Sequence, residues 1–166
     1  MRAAVPADAL VMADMDAQVS TRPWTKTQYL RFCHGPGEAI LPGASFPEGE
    51  CHRQGNSGDS ALVAEQAGRI CGFVIFTRVL DVADINNIVV APDARRQGVG
   101  RKLLEVALQS MRAQGVAKCQ LEVRQSNAPA LALYRAEGFV KDGERPGYYT
   151  TESGGREGAL LMSKKL

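Results

Sequence analysis

Histidine, tryptophan, aromatic side chains and charge of one sign are all scarce in this 166-residue chain, which has two His, one Trp and 6% aromatics. The histidines are His34 and His52, both in one glycine-rich stretch, so no Ser-His-Asp triad, and no covalent intermediate through serine, fits the sequence. Lys and Arg number 20 against 18 Asp and Glu, a formal charge of +2. A protein that grips nucleic acid by neutralising many phosphates needs a larger basic surplus, so direct nucleic-acid binding is not expected. No apolar run approaches the roughly 20 residues of a membrane-spanning helix. The first twenty residues hold Arg2, Asp8, Asp14 and Asp16 and no continuous apolar stretch, which is unlike a secretory signal. The expectation is a cytoplasmic protein with no membrane partner. The four cysteines, Cys33, Cys51, Cys71 and Cys119, stand at unrelated spacings. Cys33-His34 and Cys51-His52 lack the short ligand spacing of zinc modules, so the thiols are read as reduced and no metal is expected.

What is present is an ordinary globular composition, 45% hydrophobic and 23% charged, at a length that suits one domain over residues 1–166. A chain of this size buries roughly 68–70% of its extended surface, enough for a core without disulfide or metal staples. The near-neutral total hides an asymmetry. Residues 1–90 carry 7 basic and 10 acidic side chains, whereas 91–166 carry 13 and 8, so an anionic ligand would favour the second half.

Residues 1–33 read as partly helical: Val11, Met12, Met15 and Val19 recur at helical spacing, and Trp24, Tyr29, Leu30 and Phe32 follow a helix start at Pro23. From His34 to Asp59 six Gly and three Pro interrupt any periodicity, the mark of a long loop or insertion. A hairpin follows, Ala61–Glu65 and Ile70–Val79 about a turn at Gln66–Arg69, then a strand Ile85–Val90 stopped by Ala91-Pro92. Val99, Leu103, Leu104, Ala107, Leu108 and Met111 share one helical face that ends at Gly115. Over Ala117–Arg124 the residues alternate, with Cys119, Leu121 and Val123 on one side and Glu122 turned away from them. Asn127 caps a helix with Pro129 in its first turn and Gly138 at its end. Phe139-Val140 and Ala159–Met162 supply a last strand pair. The order implies an α/β (α+β) fold, a mixed sheet with helices on both faces.

Between strand and amphipathic helix lies Arg95-Arg96-Gln97-Gly98-Val99-Gly100-Arg101. Two glycines let the chain turn so that several amide N–H groups converge. The helix start adds about +0.5 of a charge, and Arg95, Arg96, Arg101 and Lys102 strengthen the field. A pyrophosphate suits this turn. It is neither a Rossmann fingerprint, whose third Gly and later acidic residue are missing, nor a P-loop, since no Gly-Lys-Ser/Thr closes it.

Val89-Val90-Ala91-Pro92-Asp93, the Arg-Arg-Gln-Gly-Val-Gly-Arg turn, Leu121-Glu122-Val123-Arg124-Gln125-Ser126-Asn127 and Ala132-Leu133-Tyr134-Arg135-Ala136-Glu137-Gly138-Phe139 follow one another over residues 60–166. In this order they resemble the GNAT acetyltransferase family. Pro23-Trp24, Tyr148-Tyr149 and Gly155-Arg156-Glu157 bring the resemblance nearest to its RimI type, the ribosomal-protein-alanine N-acetyltransferases. The resemblance implies a mixed, mostly antiparallel central sheet and acetyl-CoA as co-substrate. The acceptor it implies is the amino-terminal alanine of the eighteenth protein of the small ribosomal subunit. By position it implies that Ile88, Val89 and Val90, with Arg96, Gln97, Gly98, Val99, Gly100 and Arg101, hold the cofactor and that Asn127 touches it further along. It implies Glu122 as catalytic base and Tyr134 as catalytic acid. The stretch His34–Asp59 is longer than its RimI-type counterpart and bears on acceptor choice.

The chemistry is compatible with these roles. A peptide α-amine with pKa about 7.7–8.0 is some 10–17% neutral at pH 7, against about 0.04% for a lysine near 10.4. A carboxylate can take the remaining proton and a phenol can protonate the departing thiolate. Tyr148 and Tyr149, read as a loop after Pro146-Gly147, could wall a channel for the acceptor, with Trp24 on the other side or packed in the core. Cys119 sits on the apolar side of its strand and reads as packing rather than as a nucleophile. Two other functions remain open: acetyl transfer to lysine or to a small amine, and a non-catalytic acetyl-CoA-binding module.

Overall fold

The computed structural model describes residues 1–33, 57–151 and 154–166. It contains β1 (Arg2–Ala3), α1 (Ala9–Ala17), α2 (Lys26–Leu30), β2 (Ser57–Gln66), β3 (Arg69–Val79), β4 (Val82–Val90), α3 (Val99–Ala113), β5 (Lys118–Arg124), α4 (Ala128–Ala136), β6 (Val140–Thr150) and β7 (Arg156–Lys165). The strands form one sheet ordered β1-β2-β3-β4-β5-β7-β6. Every neighbouring pair is antiparallel except β4 and β5, which are joined through α3 as a parallel crossover requires.

The central strands are apolar because both of their faces are covered. On one face Val74, Phe76, Ala83, Ile85, Cys119, Leu121 and Val123 meet the buried stripe of α3 and Leu131 and Tyr134 of α4. On the other, Val63, Phe73, Ile75 and Val89 meet Ala9, Met12 and Met15 of α1 and Tyr29 of α2. Gly72 sets how closely α3 can lie on the sheet: a Cβ there would stand 3.0 Å from Leu103 Cδ1 and from the Val89 carbonyl oxygen. Each fully buried aliphatic side chain in these layers contributes about 1.5–3 kcal/mol.

Several boundaries differ from the sequence reading. β2 starts at Ser57, so the expected excursion gives up Asp59, whose carboxylate accepts from Thr77 Oγ1 at 2.9 Å within the β2–β3 ladder. Its remainder, 34–56, lies outside the described residues, as do His34, Cys51 and His52. Val11 and Val19 are exposed, at 41% and 40%, while Asp16 is fully buried. The second helix starts not at Pro23 but at Thr25, whose side chain accepts from the Gln28 N–H while Gln28 reaches back to the Thr25 N–H, a capping box. The last strand pair is far longer than its apolar residues suggest, because β6 is an edge strand with mostly exposed side chains. No described helix is long and apolar enough to cross a membrane.

Candidate active site

Where the β4–β5 pairing ends, β4 carries one extra residue. In the β3–β4 ladder Ile75 pairs with Asn87 and Phe76 with Ile85, so Asn86 has no partner of its own and forms a bulge. A bulge reverses the alternation beyond it. Ala83 and Ile85 face α3, whereas Asn87 and Val89 face α1 and α2. The β4–β5 pairing also ends here, at Ile85 opposite Leu121. Past this point β4 stays with β3 up to Val90, and β5 stays with β7 up to Arg124. Ile88, Val89 and Val90 therefore lie where β4 has no strand on its second edge, and Glu122 lies on the strand that diverges from it.

Polar bonds hold the bulged half of β4 to the helices above. The Asn87 Nδ2 donates to Tyr29 Oη at 3.2 Å and to the buried Asp16 carboxylate at 3.4 Å. Asp16 also accepts from Ser20 Oγ and, at 2.8 Å, from the Trp24 N–H. Burial, followed by the bond with Asp16, pushes the Tyr29 phenol well above the ordinary range. Trp24 packs against both Tyr29 and Phe32 with tilted rings, 5.6 Å between centroids, so its indole belongs to this packing cluster.

At the end of β4 the chain turns through residues 91–98 into α3. Arg96 and Gly98 both have left-handed backbone, with φ of 62° and 81°. Glycine adopts this at little cost, but arginine at that φ marks a turn whose shape is imposed by its surroundings. Arg95 Nε donates to the Val90 carbonyl at 3.2 Å and Gln97 Nε2 to the Asp93 carbonyl at 2.8 Å. These side chains tie down the base of the turn, and what Gln97 presents to a ligand is its amide. The Lys102 N–H donates to the Gly98 carbonyl at 3.0 Å; the amides of Val99, Gly100 and Arg101 precede it at the start of α3, where a helix has no internal acceptor to offer. Convergent amides at a helix N-terminus are the donor set a pyrophosphate needs. A cleft of about 230 Å³ lies beside them, lined by Gln97, Gly98, Val99 and Lys102 and by Glu65 and Cys71 of the hairpin.

The expected field of four basic side chains is smaller in the folded chain. Arg101 Nε lies 2.9 Å from Glu137 and 3.4 Å from Glu105, and Lys102 Nζ lies 3.5 Å from Glu105. Arg101 thus offers its amide rather than a free guanidinium. Asn127 caps α4 as expected, its Oδ1 accepting from the Ala130 N–H at 3.2 Å, which leaves the side-chain NH₂ as the donor it can turn to a ligand.

Glu122 and Tyr134 approach from opposite faces of β5. Glu122 faces away from α3 and is 30% exposed, with Oε1 3.2 Å from Arg145 Nη2. Tyr134 is buried on the α3 side against Phe139, at 5.8 Å between ring centroids. Burial is the main reason its phenol is held protonated well above the ordinary range. Cys119 is fully buried, and burial pushes its thiol up to about 12, which makes it core rather than nucleophile.

Tyr148 and Tyr149 are not in a loop. They lie on β6, at a break in its register: Arg145 pairs with Ala159 and Tyr149 with Glu157, so Pro146, Gly147 and Tyr148 bulge out against Gly158 alone. The two rings meet edge to face at 5.0 Å. Burial, and after it the nearby Glu122 carboxylate, raises the Tyr149 phenol. Sequence reasoning gave no role to the node beside them. Arg124 Nη1 donates to Glu157 at 2.5 Å and to the Thr150 carbonyl at 3.3 Å, Nη2 donates to Thr21 Oγ1 at 3.0 Å, and the guanidinium sits 4.3 Å from the Tyr149 ring centroid. Its hydrogen-bond partners are 26 to 103 residues away along the chain, and no local pattern announces them. Next to the node a cleft of about 350 Å³ opens between Thr21, Arg22, Thr150 and Thr151, on the Glu122 side of the sheet.

The sequence model of the family described as "Acetyltransferase (GNAT) family" matches residues 22–139. The chain is 43% identical to the [ribosomal protein bS18]-alanine N-acetyltransferase of Escherichia coli (strain K12) over 121 residues, 72% of this chain and 81% of that protein. The crystal structure of the ribosomal-protein-S18-alanine N-acetyltransferase from Escherichia coli superposes with a TM-score of 0.76 at 32% identity, covering 96% of this chain and 88% of that one. A GNAT family acetyltransferase from Elizabethkingia anophelis, solved with acetyl-CoA bound, shares the fold at a TM-score of 0.59 and 20% identity, covering 65% and 76%.

Proposed function

Since the chain belongs to the GNAT acetyltransferase family and is an acetyl-CoA-dependent N-acetyltransferase, we propose that its acceptor is the α-amino group of a protein amino-terminal alanine, that of ribosomal protein bS18. The observation that carries this reading is the 43% identity to the Escherichia coli bS18-alanine enzyme, in a chain that has an open strand gap with a carboxylate at its mouth. Acetyl-CoA supplies the activated acyl group. The amides of residues 97–101 hold its pyrophosphate, the unpaired edge at Ile88–Val90 receives its pantetheine arm, and Asn127 donates to it further along.

Glu122 removes the proton from the α-ammonium. The task is light, because an amine with pKa about 7.7–8.0 is already partly neutral at pH 7, and no covalent enzyme intermediate is needed. Tyr134 serves the leaving sulfur. A phenol raised by burial is a weaker acid than a thiol of pKa about 8.5, so donating a hydrogen bond to the developing charge is the larger part of its work, and full proton transfer the smaller. Tyr148, Tyr149 and the Arg124 node form one wall of the acceptor channel. The connection between α1 and α2 forms the other, with Trp24 behind it as support.

A thiol-release assay with acetyl-CoA and peptides beginning Ala, Ser, Met or N-blocked Ala tests the reading. Turnover of the Ala peptide that vanishes on blocking its amine is the expected result. Preferential turnover of an internal lysine or of a small amine would overturn the acceptor assignment, and absence of any thiol release over the whole panel would overturn transfer itself.

A further inference from the structure

The two arginines that flank the mouth of the gap are held very differently. Arg124 is fixed by Glu157, Thr21, the Thr150 carbonyl and the Tyr149 ring. Arg145 is 52% exposed, touches Glu122 through one nitrogen at 3.2 Å, and has its guanidinium carbon 5.3 Å from the Tyr148 ring centroid. It does not stand opposite Glu122 in the ladder: Glu122 pairs with Leu161, and Leu161 with Gly143. Arg145 reaches the carboxylate diagonally across β7, past Gly143, where a Cβ would meet nothing within 4 Å.

A single-point, half-exposed ion pair of this kind contributes only about 0–1 kcal/mol, so another cation can replace it. An α-ammonium is such a cation, compact and strongly charged, and it must reach the same carboxylate to lose its proton. We propose that Arg145 occupies the acceptor amine's place at Glu122 in the free enzyme and yields it to the incoming ammonium, retaining its aromatic contact with Tyr148. This rests on the assignment of Glu122 as base. Arg145 is then a positioning residue that sets acceptor affinity by competition. Once acetylated, the acceptor is an uncharged amide with no claim on Glu122, and after Glu122 has passed the proton it took to solvent, Arg145 returns to the carboxylate as the product leaves.

The test is steady-state kinetics of Arg145→Gln and Arg145→Lys with an Ala peptide. Arg145→Gln lowers the acceptor KM about fivefold, the size expected for losing one weak ion-pair competitor, and leaves the acetyl-CoA KM unchanged; Arg145→Lys stays within about twofold of wild type. Methylguanidinium chloride, added to Arg145→Gln, competes with the peptide and restores the wild-type KM, a readout that a role in shaping β6 would not move. In a Glu122→Gln background, Arg145→Gln no longer changes the acceptor KM. An acceptor KM that is unchanged or raised in Arg145→Gln, or no competition by methylguanidinium, overturns the proposal. Full turnover by Glu122→Gln alone would instead refute the assignment of the base, while the exchange at the carboxylate is still judged by the KM of Arg145→Gln.

Discussion

The two halves of β4 are chemically alike and structurally opposed. Residues 82–85 are paired on both edges, to β3 and to β5, and Ala83 and Ile85 lie in the α3 core. Residues 87–90 are as apolar in sequence apart from Asn87, yet they keep only the β3 pairing, and Asn87 and Val89 face the other way. One unpaired residue, Asn86, separates a half paired on both edges from a half with one edge unpaired. The lesson is that the opening needs no special composition. A break in register coincides with it, and beyond the break residues 87–90 have a strand on one edge only.

The sharpest way to break the comparison is to delete Asn86. Without it Ile85 and Asn87 become neighbours in a regular ladder, so Asn87 stays opposite Ile75 on the α1 and α2 side, and what is lost is the local bend and twist a bulge gives β4. Acetyl-CoA binding, followed by calorimetry, is expected to vanish; retained binding would show that the bulge is not what opens the gap. Next in size, Glu122→Gln acts on the diverging strand without touching the core. It should lower kcat about 10²- to 10⁴-fold with no change in melting temperature, as thiol release and thermal unfolding would show. Gly98→Ala probes the turn that follows the open half. A left-handed alanine costs about 1–2 kcal/mol, and an acetyl-CoA KM raised about fivefold is the expected share falling on binding.

The smallest effect belongs to the far edge of the sheet, where β1 is tied by Arg2 to Asp8 at 2.6 Å and to Glu65 at 2.7 Å. The Arg2 guanidinium lowers the Asp8 pKa. A carboxylate depressed in the folded state stabilises at pH values above its unfolded pKa, and the contribution is lost as pH falls through the lower, folded one. Asp8→Asn should therefore cost about 1 kcal/mol at pH 7, with the difference from wild type closing in acid below the ordinary carboxylate range, measured by denaturant unfolding at both pH values. Activity should not change.

Much of this was readable from residue order. The stripe Val99, Leu103, Leu104, Ala107, Leu108 and Met111 is buried as its periodicity predicts, and the alternation of β5 turns Glu122 away from the core. Asn127 caps where an asparagine before a first-turn proline should. These are local signals, set by neighbours within a few residues. Some failures were local, such as the helix start at the Thr25–Gln28 capping box; those at the site were mostly non-local. Edge strand β6 carries few apolar residues because little covers it, so Tyr148 and Tyr149 read as loop. The Glu105 pairs of Arg101 and Lys102 lie one helical turn away and were open to a local reading, whereas the Glu137 partner of Arg101 is brought alongside only by the fold.

Sequence alone determined the element order, the amphipathic faces, the glycine-bearing anion turn and the chemical types at the site, because each depends on side-chain periodicity or on the backbone freedom of individual residues. Tertiary structure decided where the β4–β5 pairing ends, that Glu122 and Tyr134 lie on opposite faces of β5, and that Arg124 is locked while Arg145 is held by a single ion-pair contact. Those outcomes depend on register and on pairings across as many as 103 residues, and a ladder one residue longer on one side leaves no mark in the alternation until its partner strand is in place.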